Sequence, residues 1–299
     1  MRYTAYNLSF QSDLPLPELL SCQSDENAQP DVVIRFAPIR SDGLPDGKQL
    51  GPFLWVSAKE LWLQIPKVAR FLVQGGNTIL IDPEPGIDED SLRVFLLGSA
   101  LGALLFQRGH LVIHGNAIQI GDQCMVCVGQ SGAGKSTLAA GFMKRGYPIL
   151  ADDVVPVDKA CNALPGFPRI KIWQDVADHL KIDTSGLRRI RPNIEKFNYP
   201  LQQQFAAEPL PIRWIYILGS ENIDNIRVEP IQGMQRFPLL YNNTYRARYL
   251  EGMEIKPLHL QLCGKLASKI RLARATRSKS GFALDQLIDH LLADMASNP

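Results

Sequence analysis

Gly129-Gln130-Ser131-Gly132-Ala133-Gly134-Lys135-Ser136 is the stretch from which the rest of this chain is read. It fits G-x-x-x-x-G-K-[ST] at every fixed position, a pattern whose glycines let successive backbone N–H groups curl around phosphate oxygens. A helix starting at Lys135 would add its positive end. Lys135 is placed to reach the β- and γ-phosphates, and the Ser136 hydroxyl to sit on Mg²⁺. The context agrees: Cys124-Met125-Val126-Cys127-Val128 before the loop is a buried-strand pattern, and Thr137-Leu138-Ala139-Ala140 after it is helical. Residues 129–137 are therefore the expected nucleotide site, with ATP and Mg²⁺ as the expected ligands.

Downstream, Ile149-Leu150-Ala151-Asp152-Asp153-Val154-Val155 is an apolar strand carrying adjacent acids. In phosphate-loop enzymes a carboxylate at the end of the neighbouring strand binds Mg²⁺ or orients the nucleophile. Consecutive strand residues face opposite ways, so Asp152 and Asp153 are expected to divide these roles. Upstream, His114 lies in the strand-like Leu111-Val112-Ile113-His114-Gly115-Asn116-Ala117; a lone strand histidine is most often a hydrogen-bonded packing residue. Cys124 and Cys127 form a C-x-x-C with no second pair, and read as core packing.

Strands alternating with a helix (111–120, 124–128, 135–145, 149–155) predict a βαβ element in a partly parallel sheet, hence an α/β core. Residues 1–86 read instead as a β-rich unit, with strands expected at 3–10, 31–36, 53–57, 61–65, 71–74 and 78–81. Asp82-Pro83-Glu84-Pro85-Gly86 closes that unit, and the acids Asp88-Glu89-Asp90 lead into an apolar helix running to Phe106. The second unit then spans 87–299, ending in a helix over 282–295 with a stripe of Leu284, Leu287, Ile288, Leu291 and Leu292.

Composition excludes other classes. The chain has 299 residues, 45% hydrophobic and 21% charged, which fits a globular protein and not a disordered or fibrous one. Its 32 Lys+Arg against 30 Asp+Glu leave +2, too little to bind nucleic acid by composition alone. The uncharged apolar run at 94–106 is short of the roughly 20 residues a membrane helix needs. With no secretory signal pattern and five scattered cysteines, a reduced, cytoplasmic protein is expected.

Three features together resemble the catalytic domain of the bacterial HPr kinase/phosphorylase family, serine kinases built on a phosphate loop. These are His114-Gly115, the loop 129–136 and Leu150-Ala151-Asp152-Asp153, although the family has one further residue between the leucine and the alanine of the last motif. The resemblance covers 114 to about 157. It implies an HPr kinase-type core, with Asp153 accepting the proton of a substrate serine, His114 near the transferred phosphoryl, Lys135 and Ser136 in their phosphate and metal roles, and Asp152 on the metal. The family's next signature, an acidic residue before an Arg-Gly-rich strand, is replaced by Leu164-Pro165-Gly166-Phe167-Pro168-Arg169-Ile170-Lys171-Ile172-Trp173. No second metal carboxylate is assigned, and with no match to the phosphorolysis segment, kinase activity alone is implied. The opening residues and the Pro-Gly-Phe-Pro-Arg-Ile-Lys stretch resemble HPr kinase-related proteins of peptide-modification systems, including kinases that phosphorylate the C-terminal serine of lasso-peptide precursors.

Substrate cations are sought at Arg169 and Lys171, which alternate on an expected strand and share a face, and at Lys196. Further basic clusters stand at Arg188-Arg189-Ile190-Arg191 and at Tyr245, Arg246 and Arg248. The alternatives are a nucleotide switch or ATPase without an acceptor, a kinase for free serine, and a nucleotide-gated binding module. Asp183-Thr184-Ser185-Gly186 fits D-x-x-G, but no N-K-x-D motif accompanies it, which argues against a GTPase, and no L-S-G-G signature marks a transporter ATPase. Self-association into a homo-oligomer is compatible with this reading.

Overall fold

The computed structural model describes residues 1–22, 28–191, 194–281 and 283–298. Among these residues the chain is mixed α/β and forms two units, one of 1–112, 190–194 and 245–261, the other of 113–189, 195–244 and 262–299.

In the first unit, β1 (Arg2–Ala5), β2 (Leu8–Ser12), β3 (Leu20–Ser21), β4 (Val32–Phe36), β5 (Lys48–Gly51), β6 (Leu54–Val56), β7 (Glu60–Ile65), β8 (Ala69–Gln74) and β9 (Thr78–Pro83) make one sheet. Its order is β3-β1-β2-β4-β9-β8-β7-β6-β5. The pleat explains its buried face: Ala69, Phe71 and Val73 alternate inward along β8, as do Ile79 and Ile81 along β9. The single strand expected at 3–10 is instead a hairpin, because Tyr6 and Asn7 take φ of 55° and 58° and turn the chain without a glycine.

The helix expected up to Phe106 is three segments: α1 (Glu89–Phe95), a π-helical turn (Leu96–Ala100) and α2 (Leu101–Gln107). Asp88 caps the first, accepting the Ser91 N–H at 2.7 Å. The π-helical turn and α2 pack on β8. Residues 87–112 accordingly group with the β-rich unit, so the contact-defined division falls after 112 and not after Gly86. The same unit holds α6 (Tyr249–Met253), while α7 (Lys256–Lys269) divides between the units after Gln261.

His259, 2% exposed and edge-on to Phe106, has its pKa pushed down to about 4 by burial. The folded imidazole then stays neutral where the unfolded one takes a proton, so stability falls as pH drops from about 6.5 toward 4. At roughly 1.4 kcal/mol per pKa unit, this is a loss of about 3 kcal/mol. Urea titrations at several pH values should show that loss in the wild type and a flatter dependence in His259→Leu; equal slopes would contradict it.

The second unit is built on β10 (Leu111–Ile120), β11 (Gln123–Val128), β12 (Ile149–Val157), β13 (Asn162–Ala163), β16 (Leu210–Glu221), β17 (Arg227–Pro230) and β18 (Arg271–Ser278). Their order is β11-β10-β12-β13-β16-β18-β17, and β11 also pairs with β16, so part of the sheet closes on itself. The expected parallel pairing is present at β11–β16 and β16–β18. It does not join β11 to β12: the hairpin partner β10 stands between them. Gly115 lets β10 lie this close, since a Cβ there would come within 2.5 Å of the Cys127 carbonyl oxygen.

A separate ribbon pairs β14 (Arg169–Trp173) with β15 (Lys196–Pro200). The helices of this unit are α3 (Lys135–Lys144), α4 (Gln174–Leu180), α5 (Arg236–Asn242) and α8 (Leu284–Ala296). Phe282, expected to begin the last helix, lies outside the described residues. Its stripe is otherwise as read, with Leu284, Leu287, Ile288 and Leu291 buried alongside Leu138, Phe142 and Met143 of α3. Cys124 and Cys127 are fully buried in β11, and burial pushes both thiols up to about 12, which suits packing and not redox chemistry.

Candidate functional site

The chain leaves buried β11 at Val128 and turns through glycines that need left-handed φ: 143° at Gly129, 83° at Gly132 and 99° at Gly134. Gly134 caps α3, with the Leu138 N–H donating to its carbonyl at 2.8 Å. At Gly129 a side chain is also sterically barred, because a Cβ would meet the Leu218 carbonyl oxygen at 2.9 Å. Lys135 opens the helix and folds back, its Nζ donating to the Gly129 and Gln130 carbonyls at 2.8 and 3.2 Å. Burial lowers its pKa, against the pull of the nearby carboxylates of Asp153 and Asp152. The loop backbone, the start of α3 and a nearly buried ammonium thus converge as phosphate recognition requires.

A cavity of about 680 Å³ opens beside this loop. Of the residues singled out in the sequence, Ser131, Gly132, Gly134, Lys135, Ser136 and Thr137 line it from the loop side. His114, Asp152, Asp153, Lys171 and Lys196 line it from β10, β12 and the β14–β15 ribbon. Gly129, Gln130 and Ala133 belong to the loop but do not line this cavity, and Ala133 packs on the core. Arg169 is 8% exposed, stacks over Phe167 at 5.3 Å and does not line the cavity. The Arg188–Arg191 and Tyr245–Arg248 clusters do not line it either; Arg189 stacks over Phe197 and Arg191 over Phe95. Asp183 accepts the Ser185 N–H at 2.9 Å in an exposed turn, which accounts for the D-x-x-G stretch.

The acids depart from the strand rule. Asp152 and Asp153, expected on opposite faces, both line the cavity. The cause is local: Asp153 has φ of 76°, a left-handed residue inside β12, and this breaks the pleat. Such strain at a polar residue in a cleft is held only where the surroundings enforce it. Here they do. Lys171 Nζ stands 3.0 Å from Asp153 Oδ2, and His114 Nδ1 lies 3.3 Å from Oδ1 and 3.0 Å from the Asp153 carbonyl oxygen. With an acceptor on each side, His114 Nδ1 carries the proton. Burial alone would push the Asp153 carboxyl up, but Lys171, His114 and Lys196 outweigh it and hold it well below the usual carboxylate range.

Asp152 is nearly buried and anchored differently, Oδ1 accepting from Asn116 Nδ2 at 2.7 Å and Oδ2 from the Lys171 N–H at 2.8 Å. Each oxygen keeps a second lone pair, so Asp152 together with the Ser136 hydroxyl offers hard oxygen donors of the kind Mg²⁺ takes. Among the described residues no group of three or more His, Cys, Asp or Glu side chains forms a ready metal cage. Mg²⁺ at nucleotide sites is held by one or two carboxylates with phosphate oxygens and water, so this donor set fits it.

Asn116, Trp173 and Glu195 were not singled out in the sequence. Asn116 is two residues from His114 on β10 and therefore on the same face, a spacing that could have flagged it. Trp173 sits opposite Lys196 across the β14–β15 ribbon, with the Lys196 ammonium 5.2 Å from its ring centre. Only that tertiary pairing brings Lys196 to the cavity. Burial pushes the Lys196 ammonium below its ordinary value, against the pull of Asp152 and Asp153.

No family model matches the chain, and no curated protein matches it. Among solved structures, the Hpr(Ser) kinase/phosphatase from Coxiella burnetii aligns at a TM-score of 0.30 with 13% identity, covering 62% of this chain and 95% of that one.

Proposed function

We propose that the chain is an ATP-dependent serine kinase that transfers the γ-phosphoryl group to a serine hydroxyl. The observation that carries this proposal is an ionised carboxylate, Asp153, held by Lys171 and His114 in the same cavity as the glycine-rich loop and Lys135. In a kinase that carboxylate faces the acceptor hydroxyl, with Lys171 Nζ on one oxygen and His114 Nδ1 near the other. Phosphoryl transfer needs an in-line hydroxyl, a carboxylate at that hydroxyl and neutralised phosphate charge.

The roles follow the geometry. The loop N–H groups and Lys135 hold the phosphates, and Thr137 closes the loop side. Asp153 orients the acceptor hydroxyl and takes its proton, while His114 fixes the Asp153 carboxylate through Nδ1 and presents its ring to the transferred group. Ser136 and Asp152 would hold Mg²⁺, which when bound neutralises charge on the phosphate oxygens. Asn116 keeps Asp152 aimed.

Lys171 and Lys196, with the half-exposed Trp173 at the ribbon end, form a cationic, partly apolar wall suited to an acceptor that carries a carboxylate beside its serine. A peptide ending in serine has that chemistry. With the motif resemblance, this supports the C-terminal serine of a ribosomal, lasso-type precursor peptide as the acceptor. Free serine shares the carboxylate and is the second reading. Intact-mass measurement distinguishes them: with ATP and Mg²⁺, peptides ending in serine should gain about 80 Da per phosphate. The same peptides ending in alanine should gain nothing. Phosphorylation of free serine with no peptide product would move the assignment to a small-molecule kinase.

A further inference from the structure

The glycine-rich loop forms a wall of a second cavity, of about 320 Å³. Gly132, Gly134 and Thr137, with Asp175 and Val176 of α4, line both cavities. Otherwise the walls separate by chemistry. Asp152, Asp153, His114 and Lys171 line only the first, whereas Leu218, Leu284, Leu287, Arg277 and Lys279 line only the second. Ser136 faces the first and Leu138 the second; two residues apart on α3, they lie roughly 200° round the helix. The loop and the start of α4 thus divide a chamber that bears Asp152 and Asp153 from a smaller one walled by Leu218, Leu284 and Leu287, with Arg277, Lys279 and His179 also on it and Asp175 common to the two.

In-line displacement places the attacking hydroxyl and the leaving diphosphate on opposite sides of the transferred phosphoryl. With Asp153 marking the acceptor side, the leaving group must run along the loop away from Asp153. We infer that the second cavity receives the nucleoside of the phosphoryl donor, with Arg277 at its neck against the phosphates. This assignment rests on the kinase proposal and adds to it the seat of the donor.

Three observations support the inference. The volume falls at the small end of ligand sites, adequate for a base and ribose once the phosphates occupy the loop. Leu218, Leu284 and Leu287 supply the apolar surface a flat base seeks. Arg277, at the end of β18, brings its Nε within 3.9 Å of where a Gly134 Cβ would stand, and its Nη1 donates to the Ser278 carbonyl at 2.9 Å. No ion pair to a carboxylate is made by Arg277 among the described residues, so its charge is available to an anion beside the loop.

Amide hydrogen exchange with ADP or with inorganic tripolyphosphate separates nucleoside from phosphate contacts. Both should protect the loop at 129–137. ADP should further slow exchange across 271–280 and 284–287, at least about threefold beyond tripolyphosphate. Arg277→Ala should weaken ADP by about tenfold, the loss of one charge-assisted contact. If the extra ADP protection falls instead on 169–173 and 195–200, or if the two ligands give one pattern, the nucleoside lies elsewhere and this assignment is wrong while the kinase proposal stands. If neither ligand protects the loop, the kinase proposal fails first.

Discussion

Asp153→Asn is expected to cut phosphoryl transfer by about 10³-fold, the scale of a lost proton acceptor in the transition state, while ADP binds nearly as in the wild type. Asn is the informative replacement because it also tolerates the left-handed φ of 76° that Asp153 adopts, so the backbone need not move. The substitution removes the charge that Lys171 and His114 face, but leaves a side chain of the same shape. The pH profile gives an independent check. Because its cations hold Asp153 well below the usual carboxylate range, the carboxylate stays ionised as the solution is acidified, and activity should show no acid limb at the ordinary midpoint of about 4. A carboxylate so strongly held is a weak base, and a loose transition state is the setting in which a weak base suffices, since the hydroxyl proton leaves late. Near wild-type turnover in Asp153→Asn, with an unchanged profile, would remove the carboxylate from the mechanism.

Lys135→Ala should damage both binding and chemistry. Its ammonium is the nearly buried cation of the loop, satisfied in the free protein by the Gly129 and Gln130 carbonyls. On binding, those bonds are exchanged for phosphate oxygens, and a charge-assisted contact of about 1.5–3 kcal/mol corresponds to roughly 10- to 100-fold in ATP affinity. Turnover should fall by a further factor of about 10² or more, because charge shifts onto the phosphate oxygens as the bond breaks. Calorimetry with ATP and a coupled ADP assay separate the two losses, and an unchanged melting temperature shows that the fold is intact. Loss of stability with no change in ATP affinity would make Lys135 a structural residue only.

The parts of the site that were legible in the sequence are those fixed by backbone conformation and local spacing. The glycines of 129–134 occupy left-handed positions that few other residues take, so the motif announces its own geometry. Strand β10 and the start of α3 follow from their local patterns with the same bounds, Leu111–Ile120 and Lys135. What escaped depends on exceptions or on distant pairing. The alternation rule misplaced Asp153 because one positive φ inside β12 has no sequence mark. Tyr6 and Asn7 make a hairpin turn that a glycine would have signalled. Arg169 and Lys171 share a face of β14 as expected, yet only Lys171 lines the cavity, since Arg169 is buried against Phe167. Lys196 reaches the cavity solely because β15 pairs with β14, a non-local contact that periodicity does not encode. The near-neutral charge, +2 overall, also takes a sharper meaning: the cations at Lys135, Lys171 and Lys196 surround one cavity.

The most direct test of the central claim is a product balance in a single reaction of the full chain with ATP, Mg²⁺ and a peptide ending in serine, measuring ADP, phosphoserine and inorganic phosphate together. A serine kinase forms phosphoserine in step with ADP, one for one, with inorganic phosphate negligible. ADP matched by inorganic phosphate, with the serine unmodified, would contradict the account and leave a phosphate-loop ATPase.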